Sequence, residues 1–234
     1  MIHVVTHAQR RVYAQQLTAM HRMRREVFVG ARGWKLETRE DGGEYDRGDD
    51  EKAIYFMMLD RDGGLQVSVR VRPVADWSIL LDEMSGCIEG EVSALRRPDV
   101  WEMARHLAGQ QGRSVGEARQ RAAEFRIAML EAALHRGVTR LVGSVDVGLL
   151  AHGIRAWLDL KPLGLPVVYP EGGAAVGYEI PVSEDLIGRL RRAHGITRPS
   201  AFELEVETAT PWLTPAGLEA AFRGPAAYSE ALPA

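Results

Sequence analysis

At 234 residues, 46% hydrophobic and 26% charged, the chain carries enough apolar material for one good core but not two, so a single domain is expected. A formal charge of -3 argues against a general nucleic-acid binder, and no apolar run approaches the ~18 residues of a membrane-spanning helix. One cysteine, Cys87, leaves no intramolecular disulfide framework. With no signal-peptide pattern after Met1-Ile2-His3, a cytoplasmic protein is expected.

The first element in the chain is a helix. Tyr13 to Val29 places Leu17, Met20, Met23 and Val27 at helical spacing, and Gly30 and Gly33 end it. Ile54 to Leu59 and Leu65 to Arg72 are short apolar runs joined by Asp60-Arg61-Asp62-Gly63-Gly64, a hairpin signal. Val100 to Leu107 reads as a third strand. Ser114-Val115-Gly116-Glu117 is a capping box opening a helix that stops at Gly137. Leu141 to Val147 is predicted as a strand and Gly148 to Leu158 as a helix. Val167 to Tyr169 and Ala175 to Val182 are further strands, and Ser183 caps a helix over Glu184 to His194. A hairpin followed by helical crossovers implies an α/β mixed sheet flanked by helices. Residues 1–198 are expected to form the core. Residues 199–234, rich in Pro, Ala, Glu and Thr, read as a partly flexible appendage with one short helix signal at Thr214-Pro215.

Charge is unevenly spread. Up to Arg25 only arginines are charged, whereas Glu37, Glu40, Asp41, Glu44, Asp46, Asp49, Asp50 and Glu51 crowd the next stretch. By itself such a run reads as a solvated loop. Its neighbours are R-R-E-V-F-V-G-A-R-G-W from Arg24 to Trp34, V-S-V-R-V-R-P through Arg70, and W-E-M-A-R from Trp101 to Arg105. In order and spacing these segments resemble the acyl-homoserine-lactone synthases, the autoinducer synthases of quorum sensing, over roughly residues 1 to 195. The resemblance implies an acetyltransferase-like (GNAT-type) fold. It also implies a reaction that joins the amine of S-adenosylmethionine to a fatty-acyl thioester and closes the product into a lactone. Substrates are implied, with no cofactor and no metal. An acetyltransferase-like enzyme acylating another amine is the alternative, one with no need of the charged constellation.

That chemistry sets demands of its own. A sulfonium and an ammonium call for anions, and a free carboxylate calls for cations. Asp46 and Asp49 meet the first need, and Arg24 with Arg105 or Arg70 the second. The attacking amine must lose a proton, for which Glu102, between Trp101 and Met103 in an apolar strand, is the candidate base. The plain alternative is a strand carboxylate paired with Arg105. A three-residue separation sets Glu102 and Arg105 on opposite strand faces unless a bulge intervenes. By resemblance, Arg24, Phe28, Trp34, Asp46, Asp49, Arg70 and Arg105 form the S-adenosylmethionine site, and Glu102, Arg105, Asp46 and Asp49 the catalytic set. Phe28 and Trp34 read equally as core packing. Gly48 stands where the family has an aromatic residue.

The expected acyl pocket comprises Met84, where the family commonly has phenylalanine, with Trp101, Met103, Gly143 and Val145, Gly143 leaving open space. The strand from Leu141 to Val147 lacks the family's threonine for a 3-oxo group. Arg39 to Asp50 and the Pro162-to-Pro166 run look most like the subgroup using branched or aryl acyl-coenzyme A. Arg113-Ser114-Val115-Gly116-Glu117-Ala118 fits an R-x-x-G-x-A pattern that would hold coenzyme A phosphates at Arg113 and Gly116, or serve only as a helix cap. Arg96, Arg97, Arg119 and Arg121 suit either phosphates or an acyl carrier protein, the alternative donor.

Overall fold

The computed structural model describes residues 2–108, 114–170 and 172–205. Expectations at Arg113 and at Thr214-Pro215 fall outside them. The described strands are β1 (Ile2–Val5), β2 (Ile54–Leu59), β3 (Leu65–Pro73), β4 (Val100–Ala108), β5 (Arg140–Asp146), β6 (Lys161–Pro162), β7 (Val167–Tyr169), β8 (Gly173–Pro181) and β9 (Ala201–Glu203). They form one mixed sheet in the order β6-β8-β5-β4-β3-β2-β1-β9, with β7 on β8. The helices are α1 (Ala14–Arg24), α2 (Val115–His135), α3 (Val147–Trp157) and α4 (Glu184–His194). No helix among the described residues is long and apolar enough to cross a membrane.

Period-two side-chain alternation gives the sheet two apolar faces. Ile54, Phe56 and Met58 of β2 face α2 and α4 in one cluster with Ala123, Ile127, Leu130, Leu186 and Leu190. Tyr55, Met57 and Leu59 face the other way, onto α1, with Tyr13, Met20 and Phe28. Serine caps open both helices of the first face. Ser114 and Glu117 close a reciprocal capping box on α2, and the Ser183 hydroxyl accepts from the Leu186 N–H on α4.

Three features bear on the site, the first two of them differences from the sequence reading. The first predicted helix stops being α-helical at Arg24 and continues as a π-helical turn, Arg25–Ala31, in which the Arg32 N–H reaches the Val27 carbonyl. The extra residue per turn re-aims the side chains that follow, a device common at functional sites. Second, β9 pairs in parallel with β1, so the sheet extends past the expected boundary at residue 198. Third, β4 and β5 pair only from Val100↔Arg140 to Glu102↔Val142. Beyond those pairs β4 stays with β3 and β5 with β8, which opens the sheet beside Met103.

Candidate active site

The opening of the sheet coincides with a change of parity in β4. Arg72 pairs with Glu102 and Arg70 with Ala104, but Ser68 pairs with Leu107, so the register shifts between Ser68 and Arg70. Arg105 takes the extra residue with φ +56°, in the left-handed region that costs a β-carbon-bearing residue roughly 1–2 kcal/mol. This bulge puts Arg105 on the same face as Arg70 and Glu102, despite the three-residue spacing.

There it joins a buried charge cluster. Arg24, 0% exposed, donates from Nη1 and Nη2 to the two oxygens of Asp49 at 2.7 and 3.0 Å, and from Nε to Glu44. Arg70, 1% exposed, holds Asp46 in a fork and reaches Asp49 Oδ1 at 2.9 Å. Arg105 bonds Glu44 Oε1 at 3.0 Å and lies 2.8 Å from Asp46 Oδ2. Three guanidinium groups thus face three carboxylates. The Asp46–Asp49 turn is locally rigid, because Asp49 Oδ2 accepts the Asp46 N–H at 2.8 Å and Asp46 Oδ1 the Gly48 N–H at 2.7 Å. Burial favours the neutral form of each aspartate. The Arg70 charge, together with Arg105 at Asp46 and Arg24 at Asp49, outweighs it and holds both well below the usual carboxylate range.

Glu44 and Trp77 escaped the sequence reading. Glu44 is 0% exposed and shared by Arg24 and Arg105, yet in sequence it is one acid in a run. Charge counting is the signal that finds it, since three arginines against two aspartates leave one buried cation unmatched. Trp77 explains the departure at Gly48. A β-carbon on Gly48 would come within 2.7 Å of both the Arg70 guanidinium and the Trp77 ring, so Trp77 fills the space an aromatic at 48 would take.

Glu102 is 2% exposed, but it is neither paired with Arg105 nor left in bare apolar surroundings. Its carboxylate accepts the Ser78 hydroxyl at 2.9 Å, the Ile79 N–H at 3.0 Å and the Leu80 N–H at 2.6 Å, clamping the start of the π-helical turn Ile79–Glu83. At the turn's far end Glu83 faces the cluster. Desolvation, then the negative charges of Asp46 and Glu102, push its pKa up. Phe28 and Trp34 stack in parallel at 5.3 Å, and Arg105 lies 5.6 Å over Phe28, so the pair forms an aromatic shelf against the cluster. Trp34 also lines a cleft of about 450 Å³ with Arg32, Asp146 and Tyr169.

The expected acyl-pocket residues do not share one surface. Met84 sits with Ser144 on the Glu102 side, Ser144 Oγ lying 3.3 Å from its sulfur. Trp101, Met103 and Val145 pack on the α2 side. Gly143 leaves no open space, which corrects the sequence reading. A β-carbon there would lie 2.6 Å from the Met103 carbonyl oxygen and 2.6 Å from the Tyr178 hydroxyl, because Tyr178 is its cross-strand partner. At Gly116 the structure shows the helix cap. The Glu117 carboxylate accepts both the N–H and the hydroxyl of Ser114.

Comparison with known proteins agrees with this architecture. The model of the autoinducer synthase family matches residues 8–179. An isovaleryl-homoserine lactone synthase from Bradyrhizobium diazoefficiens is 27% identical over 175 residues, covering 72% of this chain and 74% of that one. The structure of BjaI, a CoA-dependent acyl-homoserine lactone synthase with SAM and isopentyl-CoA, superimposes with a TM-score of 0.74 at 20% identity, over 95% of this chain and 98% of that one. A putative N-acetyltransferase from Lactobacillus plantarum superimposes at 0.52 with 16% identity, over 78% and 99% of the two chains. These likenesses establish the acetyltransferase-like fold. Since the family match spans most of the chain and contains the whole charge cluster, the protein belongs to the autoinducer synthase family.

Proposed function

We propose that the protein is an acyl-homoserine-lactone synthase that uses S-adenosylmethionine and an acyl-coenzyme A. The observation that carries the reading is the buried, charge-balanced cluster of Arg24, Arg70 and Arg105 with Glu44, Asp46 and Asp49. S-adenosylmethionine with its amine deprotonated is itself a sulfonium–carboxylate pair. Such a ligand exchanges ion pairs with the cluster without changing the buried net charge, which keeps the desolvation cost low. Arg24, Arg70 and Arg105 are the groups for its carboxylate, Asp46 and Asp49 for its cationic side, and the Phe28–Trp34 shelf for its flat apolar surface.

In the first step the amine nitrogen attacks the thioester carbonyl, the carbon–sulfur bond breaks and coenzyme A leaves as the thiol. The amine proton needs an acceptor. A carboxylate offers about four lone-pair sites, and at Glu102 three are filled by donors that fix its orientation, leaving one for the proton or a bridging water. In the second step the carboxylate oxygen attacks the carbon bearing the sulfonium. Methylthioadenosine leaves and the charges cancel in the lactone.

A coenzyme A donor is supported by the BjaI complex with isopentyl-CoA and by the isovaleryl-homoserine lactone synthase among the relatives. The acyl surface is Trp101, Met103 and Val145, where the sheet opens. The test is to supply S-adenosylmethionine with a panel of acyl thioesters and follow methylthioadenosine. Release only when both substrates are present supports the reading, and S-adenosylhomocysteine or no binding of S-adenosylmethionine overturns it. The same acyl group on coenzyme A and on carrier protein, compared by kcat/KM, tests the donor. Carrier-protein preference of about tenfold, or ~1.4 kcal/mol, overturns the coenzyme A assignment and makes the arginines at 96, 97, 119 and 121 a docking surface.

A further inference from the structure

On the α2 side of the sheet one buried cation has no counter-charge. Arg126 is 9% exposed, its Nε has no hydrogen-bond partner, and its guanidinium lies 5.9 Å over the Trp157 ring. Burial alone draws its pKa down to about 10, with no carboxylate opposing. Among the described residues the other buried arginines are all paired: Arg24 and Arg70 in the cluster, and Arg72 with Asp50 and Asp76. Buried charges are ordinarily kept only with partners, because isolating one from water is costly. The orphaned atom is Nε; a guanidinium with no carboxylate opposite it still has donors free for an acceptor.

Its surroundings say where that acceptor comes from. The bulge that turns Arg105 into the charge cluster turns His106 onto the α2 face, where its ring meets Phe125 edge-on at 6.2 Å. His106 keeps solvent contact, although surrounding protein and the Arg126 charge depress its pKa. His106 lies three residues beyond Met103, at the point where β4 parts from β5. Trp101, Met103 and Val145, each half-buried, share the face. Arg126 lies eleven residues beyond Val115, ~16 Å along the helix axis, so phosphates at the α2 N-terminus do not reach it.

We infer that the opening of the sheet beside Met103 accepts an acyl group whose far end carries an acceptor oxygen, a hydroxyl, phenol or carboxylate, held by Arg126 with His106 beside it. The inference rests on the synthase reading and narrows its substrate class. The test uses acyl-coenzyme A pairs that differ only in that oxygen: hexanoyl against 6-hydroxyhexanoyl and adipyl, and phenylacetyl against 4-hydroxyphenylacetyl. Methylthioadenosine release gives kcat/KM for each. The wild type is expected to favour the oxygenated member of at least one pair by about tenfold, the scale of one charge-assisted hydrogen bond. In Arg126→Met the ratio within that pair should fall to near one, and the variant should melt no lower than wild type, because an unpaired buried charge is gone. Arg126→Gln, which keeps donors without charge, should retain part of a hydroxyl preference and lose the carboxylate preference. Equal kcat/KM within every wild-type pair overturns the inference while leaving the synthase reading intact. So does a preference that survives in Arg126→Met. If no acyl thioester supports methylthioadenosine release, both readings fall together. Equal wild-type ratios overturn the inference even if a variant does not fold.

Discussion

Replacing Glu102 with Gln tests whether this carboxylate is a clamp as well as a proton acceptor. Oε1 accepts the Ser78 hydroxyl and the Leu80 N–H, and Oε2 accepts the Ile79 N–H. The Gln carbonyl can replace only one of these oxygens, so its NH2 group must face a buried donor. A lost hydrogen bond to a charged group is worth about 1.5–3 kcal/mol and an unsatisfied buried N–H about 1–3, so E102Q should cost about 2.5–6 kcal/mol of stability. That is a large share of the roughly 5–15 kcal/mol that holds a domain together. Urea unfolding should show a lower midpoint with an unchanged slope. Turnover of the folded fraction, read as methylthioadenosine release, should fall roughly 10²- to 10⁴-fold. Ser78→Ala is the control, because it removes one donor to Glu102 and the cap on the Leu81 N–H but keeps the carboxylate, so it should cost stability without abolishing turnover. A stability change within about 0.5 kcal/mol, the range of ordinary surface substitutions, would refute the clamp. Near-normal turnover in folded E102Q would refute the base.

Arg105→Gly should be more stable than Arg105→Ala by about 1 kcal/mol, because φ is +56° there; comparative thermal melts showing the reverse order would remove the argument for strain. Gly143→Ala should cost about 1–3 kcal/mol through the Met103 carbonyl and Tyr178 hydroxyl contacts, and Tyr178→Phe should recover part of it, both read by denaturant midpoints. Asp46 and Asp49 have folded pKa values below their unfolded value of 3.8, so the unfolded chain binds more protons in acid. Their stabilisation is fully present above that value and is lost as pH falls through it toward the folded pKa values. Melting temperature should therefore drop below about pH 4, and Asp49→Asn should flatten the drop.

Local signals were readable wherever a few neighbouring residues decide the outcome. The β2–β3 hairpin follows from two apolar runs around Asp60–Gly64, and the starts of α2 and α4 follow from Ser114 and Ser183, each satisfied within its own turn. The charges at Arg24, Asp46, Asp49, Arg70 and Arg105 carried a spacing distinctive enough to expect them together, and they are together. Four-residue β1 and three-residue β9 are too short to show alternation, and they exist because each satisfies the other's edge. Tertiary structure alone decided which side of the sheet each site residue occupies. One bulge in β4 turns Arg105 toward the carboxylates and His106 toward α2, and in a strand a one-residue shift reverses every side chain beyond it. The same dependence on distant partners hid Glu44, drawn from a run of acids by two arginines, and filled the space at Gly143 with the hydroxyl of Tyr178. Burial, charge balance and packing are properties of residues far apart in the chain, so they appear only when the chain is folded.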